Sequence, residues 1–303
     1  MIKRFLAFII GSVTLGVVAL SAQTVSGSQD YTSGFRTIEV SDYFNAKVVY
    51  DDYYGAEWNI EGDLKEAMHV YLRGDALVAT LDRKALSSDA KKKYSGKKAG
   101  SAVISVTIHT PELKTLRASG NAIVDMSGFR VDTDEMVIEI SDDAILKGLD
   151  VKASALTVTA GKKARVESAT VMADNLSINT NNSAYVRVDQ ECKFVSLQVN
   201  STSDVSVSGR CETLDVTALN SAKLRLEGSA VTLNLTAGCR EIHADGLSVN
   251  DAAVTGSNAC KAELNVSDNL SLDLKGGCQI VFAGKPVIDI VNIQNSSVSH
   301  SQL

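Results

Sequence analysis

The sequence predicts an all-β fold: a right-handed parallel β-helix, a solenoid of coils 19–22 residues long, preceded by a β-strand-rich N-terminal capping region. Three observations carry this. From Leu116 to Gly284 the chain repeats one line, two apolar-alternating segments around a small polar corner. Alternation of period two buries one face of each strand. Repetition near 20 residues with no helical segment means stacked β-coils rather than propeller blades of ~40 residues. The composition agrees, with 5% aromatic residues and 2 Pro among 303 residues, which suits short strands and tight turns. The right hand is expected because right-twisted strands favour right-handed crossovers.

Residues 1–22 read as a secretory signal peptide. Lys3 and Arg4 precede an apolar run from Phe5 to Leu20, and Ala19-Leu20-Ser21-Ala22 offers a cleavage site. That run is short for a membrane span of ~20 residues. The first cysteine is Cys192, so lipoprotein processing is not expected, and the product should be periplasmic or surface-located. The net charge is −6. Loss of Lys3 and Arg4 makes it more acidic still, which argues against nucleic acid as a partner.

Residues 23–33 read as a mobile polar leader. Residues 34–110 form the N-terminal β region, with strands around Phe35–Val40, Ala46–Tyr50 and Ala56–Ile60. Residues 64–72 are read as strand, a short helix being the other reading. Residues 84–100 form a Lys-rich loop holding Lys91, Lys92, Lys93, Lys97 and Lys98; it is either a solvated hairpin loop or a patch for an anionic surface. Val103–Ile108 is a strand that Pro111 ends. The β-helix is assigned to 111–290 and a polar tail to 291–303.

Within the repeats two inward columns stand out. One is Leu116, Ile138, Val158, Ile178, Leu197, Val216, Leu235, Val254 and Leu272; the other is Val124, Leu146, Val166, Val186, Val205, Leu224, Ile242, Ala262 and Ile280. The corner between them reads Ser119-Gly120-Asn121-Ala122, Ser141-Asp142-Asp143-Ala144, Gly161-Lys162-Lys163-Ala164 and Asn181-Asn182-Ser183-Ala184. Gly, Asn and Asp tolerate left-handed backbone angles, and a corner's tight inside admits Ala. Asp142 and Asp143 hint at calcium, but neighbouring coils offer Lys162, Lys163 and Asn182, so no oxygen cage builds up and no metal is expected.

The five cysteines all lie in the last third. Cys192 and Cys211 are placed in one column, with Met172 before and Ala230 after; Cys260 and Cys278 share another. Adjacent coils ~4.8 Å apart are at the short end of disulfide spacing. Two readings stay open: stacked buried thiols, or a disulfide between Cys192 and Cys211. The cysteines and scattered histidines do not form a zinc set, and no cofactor is expected.

Function on a solenoid resides in outward columns. Asp125, Lys147, Glu167, Arg187, Ser206, Arg225, His243 and Glu263 alternate in sign at first and read as a register device. Arg117, Glu139, Thr159, Asn179, Gln198, Thr217, Thr236 and Thr255 hold an uncharged middle, which marks Thr159, Asn179, Gln198, Thr217 and Thr236 as a candidate ligand face. The bland reading of that ladder is stacked β-branched and amide side chains. Glycoside hydrolysis needs two carboxylates about 5–5.5 or 6.5–9.5 Å apart. Here acids alternate with bases, and no Gly-x-Ser-x-Gly elbow is present, so no enzyme is expected. A carbohydrate-active lyase or hydrolase using scattered acids is the runner-up.

Three pieces carry a family resemblance. They are Phe35-Arg-Thr-Ile38-Glu-Val40; Val106-Thr-Ile108-His-Thr-Pro111-Glu-Leu113-Lys-Thr-Leu116 running into Ser119-Gly120-Asn121-Ala122; and Ile280-Val281-Phe282-Ala283-Gly284-Lys285-Pro286. In this order and spacing the chain resembles the putative auto-transporter adhesins with a head GIN domain, a domain of unknown function in exported Bacteroidetes proteins. The later corners depart from that family's turns, using Lys, Asn or Cys. The resemblance implies a β-solenoid head, a cell-envelope location and adhesion, and brings no catalytic or binding residues. The chain shows no translocating barrel, so self-export is not expected. The expected role is a non-enzymatic adhesin-like or scaffold module whose partner is a glycan, peptidoglycan or an envelope protein.

Overall fold

The structure, a computed structural model, describes residues 24–94 and 104–301. The predicted signal peptide, and Lys97 and Lys98 of the Lys-rich loop, lie outside the described residues. The N-terminal strands are β1 (Thr24–Tyr31), β2 (Thr37–Val40), β3 (Asn45–Tyr50), β4 (Tyr54–Glu61), β5 (Met68–Arg73), β6 (Ala76–Leu81) and β7 (Ile104–Thr110). The repeats supply β8 (Thr115–Ala118), β9 (Ile123–Asp125), β10 (Arg130–Ile140), β11 (Ile145–Lys147), β12 (Leu149–Ala160), β13 (Arg165–Thr180), β14 (Tyr185–Val199), β15 (Asp204–Leu219), β16 (Lys223–Gly238), β17 (Glu241–Gly256), β18 (Lys261–Lys275), β19 (Gln279–Ala283), β20 (Val287–Gln294) and β21 (Ser297–His300).

From β8 to β21 every pairing is parallel, each coil lying in register on the next. This is the parallel β-helix. Both inward columns are buried along their length, from Leu116 and Val124 to Leu272 and Ile280. The corners are left-handed where Gly, Asn or Asp was expected: Gly120, Asp142 and Asn182 have φ of 68°, 64° and 59°, and Asn220 of a later corner has 67°. Lys162 and Ser201 adopt it too. There the cross-coil bonds Lys163 N–H to Asp142 O (2.8 Å) and Ser183 N–H to Lys162 O (2.7 Å) hold the turn open.

The boundaries differ from those expected. The leader expected at residues 23–33 is not free over Thr24–Tyr31: β1 pairs antiparallel with β4 along its whole length, its backbone groups covering an edge that would otherwise stay open. The solenoid begins before residue 111, since β2 pairs in parallel with β8 and β3 with β9. The cap is the antiparallel part, β1–β4–β7 and the β5–β6 hairpin. Residues 64–72 divide, a 3-10 turn at Gly62–Ala67 leading into β5. The Lys-rich stretch holds a short helix, α1 (Ser88–Lys93), whose Ser87 hydroxyl accepts from Ala90 N–H. A cap within a polar run, with no apolar period, is easily missed. Over its described residues the tail expected at 291–303 is not separate: β20 stacks on β18 and β21 on β19. Among the described residues no helix is long and apolar enough to cross a membrane.

Candidate functional site

The strand halves that begin near Ala155 stack into one outward face. Thr159 pairs with Asn179, Asn179 with Gln198, Gln198 with Thr217, and Thr217 with Thr236. All five predicted residues therefore stand in one column on successive coils. Four steps of ~4.8 Å make a track about 19 Å long. Thr159, Gln198 and Thr236 are exposed, and Asn179 and Thr217 half-buried. Asn179 Nδ2 donates to Ser177 Oγ at 3.3 Å, which orients its amide.

Two neighbouring columns widen the face, and sequence reading passed over both. Thr157, Ser177, Ser196, Asp215 and Asn234 form the first; Asn234 Nδ2 donates to Asp215 Oδ1 at 2.7 Å. Asn175, Phe194, Thr213 and Thr232 form the second. Phe194 is 50% exposed, two residues before Ser196 and four before Gln198, hence on the same face. An outward aromatic in a chain this poor in aromatics was the signal available. Asn269 Nδ2 bonds Asp251 Oδ1 at 2.6 Å farther along that column.

At its N-terminal end the ladder enters a groove of about 600 Å³ walled by Tyr71 and Arg73 of the β5–β6 hairpin. Its floor is Glu39, Arg117, Glu139 and Thr159. Arg117 lies between two acids, 3.2 Å from Glu39 and 2.7 Å from Glu139, and Arg73 reaches Glu39 at 2.5 Å. These charges compensate one another. Thr159 thus belongs to the groove, whereas Asn179, Gln198, Thr217 and Thr236 belong to the open face.

The charged column is paired from Asp125 to Lys147 and again from Arg187 through Ser206, Arg225 and His243 to Glu263, with Glu167 at the register shift between them. Lys147 approaches Glu167 at 3.9 Å. The corner acids are likewise paired: Lys162 bonds Asp142, and Lys163 stands 4.0 Å from Asp143. The Lys162 ammonium holds the Asp142 carboxyl below the usual carboxylate range. One constellation was not legible: a register shift after Ala244 swings Asp245 toward His243 and Glu263, so the three can hold a cation. Lys261 already occupies Glu263 at 3.0 Å and Arg225 neighbours His243 in the column, so cationic charge opposes a metal there. A second cluster lies in the cap, where Asp51 bonds His109 Nδ1 at 2.6 Å and the Tyr53 ring stacks on the imidazole at 5.1 Å.

All five thiols are free. Cys192 pairs with Ala173, not Met172, because an extra residue between Val166 and Ala169 shifts the register. In-register parallel side chains project side by side and hold their Cβ atoms about a strand spacing apart, wider than the ~3.8 Å mean that a disulfide needs. Burial pushes Cys192 and Cys211 up to about 11. Cys239, Cys260 and Cys278 are fully buried. The Lys261, Gln279 and Ser297 amides bond their carbonyls as the Arg165 amide bonds Ala144, so they continue the alanine corner column.

A family model described as putative auto-transporter adhesin, head GIN domain, matches residues 34–286. No curated protein matches the chain. Among solved structures it is similar to a putative adhesin from Parabacteroides distasonis, with 16% identity over 92% of this chain and 98% of that one, and a TM-score of 0.54. It is also similar to a putative lipid binding protein from the same species, at 12% identity over 92% and 97% of the two chains, with a TM-score of 0.52. At these identities the likeness is one of fold.

Proposed function

The chain belongs to the family of putative auto-transporter adhesins with a head GIN domain, and on that premise we propose that it is an exported, non-enzymatic binding module of the cell envelope. The ligand is an extended glycan, laid along the face built by Asn179, Gln198, Thr217 and Thr236. The single observation that carries this reading is the uncharged in-register ladder beside an exposed aromatic, Phe194. Repeating donors and acceptors every ~4.8 Å suit a repeating polymer, since two coils match one disaccharide of an extended β-linked chain. The Phe194 ring offers an apolar face to sugar C–H groups while the amides bond hydroxyls. Acids on this and other outward columns are taken up by bases or amides, which supports binding rather than hydrolysis. Export rests on the basic, apolar and small-residue pattern of residues 1–22.

The test is a glycan array probed with the exported protein, followed by Asn179→Ala, Gln198→Ala and Phe194→Ala. Binding to an extended polysaccharide, weakened by each change with the fold intact, supports the reading. No binding, or binding untouched by all three, removes the face assignment. A reducing-sugar and unsaturated-product screen on the same polysaccharides would expose a catalytic role instead.

A further inference from the structure

The two ends of the solenoid are finished differently. The N-terminal end is closed by the β1–β4–β7 sheet and the β5–β6 hairpin. Its outermost strand β1 carries Ser26, Ser28, Gln29 and Asp30. At the other end β20 is paired on one side by β18, and among the described residues no strand is paired with its other edge. One coil below, Leu270, Leu272 and Leu274 are fully buried. Their partners in the final layer are Ile288, Ile290 and Ile293, which remain 42%, 59% and 36% exposed. Val287 and Val291 on the same strand are 72% and 65% exposed.

β20 thus presents core residues without a core above them, beside a free row of backbone donors and acceptors. Natural edge strands are guarded by lysine, proline or inward charge. Sheet continuity is broken by a bulge between Leu272 and Asp273, but the only charged residue of β20 is Asp289. The β21 half is better finished: Val298 packs on the core, and the His300 ring meets Phe282 edge-on at 5.1 Å while Nε2 bonds Gly284 O at 2.8 Å. The open region is confined to β20.

We infer that this end docks a second copy of the chain, the β20 strands meeting antiparallel about a two-fold axis, so that the isoleucines of both copies share one core. The complement argues for that occupant. An apolar, nearly uncharged edge cannot be matched by the polar N-terminal cap, which excludes head-to-tail filaments and leaves the end self-complementary. Eight residues at ~3.3 Å across the ~10 Å between sheets give an open face of roughly 260 Å². A pair then buries about 500 Å², in the range of weak, transient contacts, so the dimer is weak, reversible and concentration-dependent.

Sedimentation velocity of the exported protein across a wide concentration range tests this independently of any glycan. The expected result is a monomer–dimer equilibrium that Ile290→Lys shifts to monomer, weakening association at least tenfold, with an unchanged far-ultraviolet spectrum. Val287→Lys, on the outward side, is the second variant, should the first disturb the final coil. A wild-type monomer at every concentration overturns the inference, as does a dimer indifferent to both lysines. A monomer that binds zwitterionic lipid vesicles through β20, and loses them on Ile290→Lys, also overturns it by assigning the end to a membrane.

Discussion

Gly228→Ala tests the coil stacking on which every column depends. Gly228 lies in β16 opposite Gly209 of β15, with φ of 110°. A Cβ there would overlap the Gly209 carbonyl oxygen and stand 2.9 Å from its carbon. The backbone angle alone costs an L-residue about 1–3 kcal/mol. Relieving the overlap means moving one coil off its neighbour, which disturbs one or two ladder hydrogen bonds at about 1 kcal/mol each. The two effects together predict a loss of about 2–5 kcal/mol. Gly74→Ala is the comparison: its φ is also positive, at 65°, but nothing lies within 4 Å of the new Cβ, so only the angular cost of about 1–2 kcal/mol applies. Urea unfolding of both variants, read from the midpoint at constant slope, separates them. Equal losses, or a Gly228→Ala loss below about 1 kcal/mol, would refute the close approach and with it the registered stack.

Lys147→Glu places three acids in succession with Asp125 and Glu167; it should cost about 1 kcal/mol at low salt and less at high salt, since these side chains are solvated. The thiols give a pH prediction. Burial raises Cys192 and Cys211 to about 11, and burial with the neighbouring Cys278 thiol raises Cys260 to about 12, against an ordinary 9.0. The unfolded chain therefore releases these protons first, so their contribution to stability is complete below pH 9 and lost between about 9 and 12; denaturation midpoints measured through that window should fall. Iodoacetamide at mild alkaline pH should leave the thiols largely unmodified until denaturant is added. Asp142 is held below its ordinary range chiefly by Lys162, so its contribution is present above that range and disappears as pH falls through the lowered value. Asp142→Asn should cost about 0.5–1 kcal/mol near neutrality and flatten the acid limb of the stability curve.

The regular part of the molecule was legible because one physical constraint repeats. Burying one face of each strand spaces Leu116, Ile138 and Val158 by one coil, and the same spacing aligns Thr159 with Asn179 and Gln198. What escaped the reading lay where the period breaks. The shift near Val166 exchanged Met172 for Ala173 beside Cys192, and the shift after Ala244 hid the approach of Asp245 to Glu263. β1 was missed because an antiparallel cap strand needs no apolar face, and α1 because six polar residues with one cap carry no helical period. Phe194 does not stand out in sequence because the period is carried by inward positions, where it does not appear. The exposed isoleucines of β20 look like another core line in sequence; only their place at the end of the stack makes them a surface.

The most direct test of the binding face is an equilibrium titration of the glycan that the array selects against the wild-type protein and the Asn179→Ala/Gln198→Ala double variant. Each amide removes a net contribution of about 1 kcal/mol, so the account predicts roughly a thirtyfold weaker dissociation constant with an unchanged unfolding midpoint. Equal affinity in the two proteins, at equal stability, would contradict it.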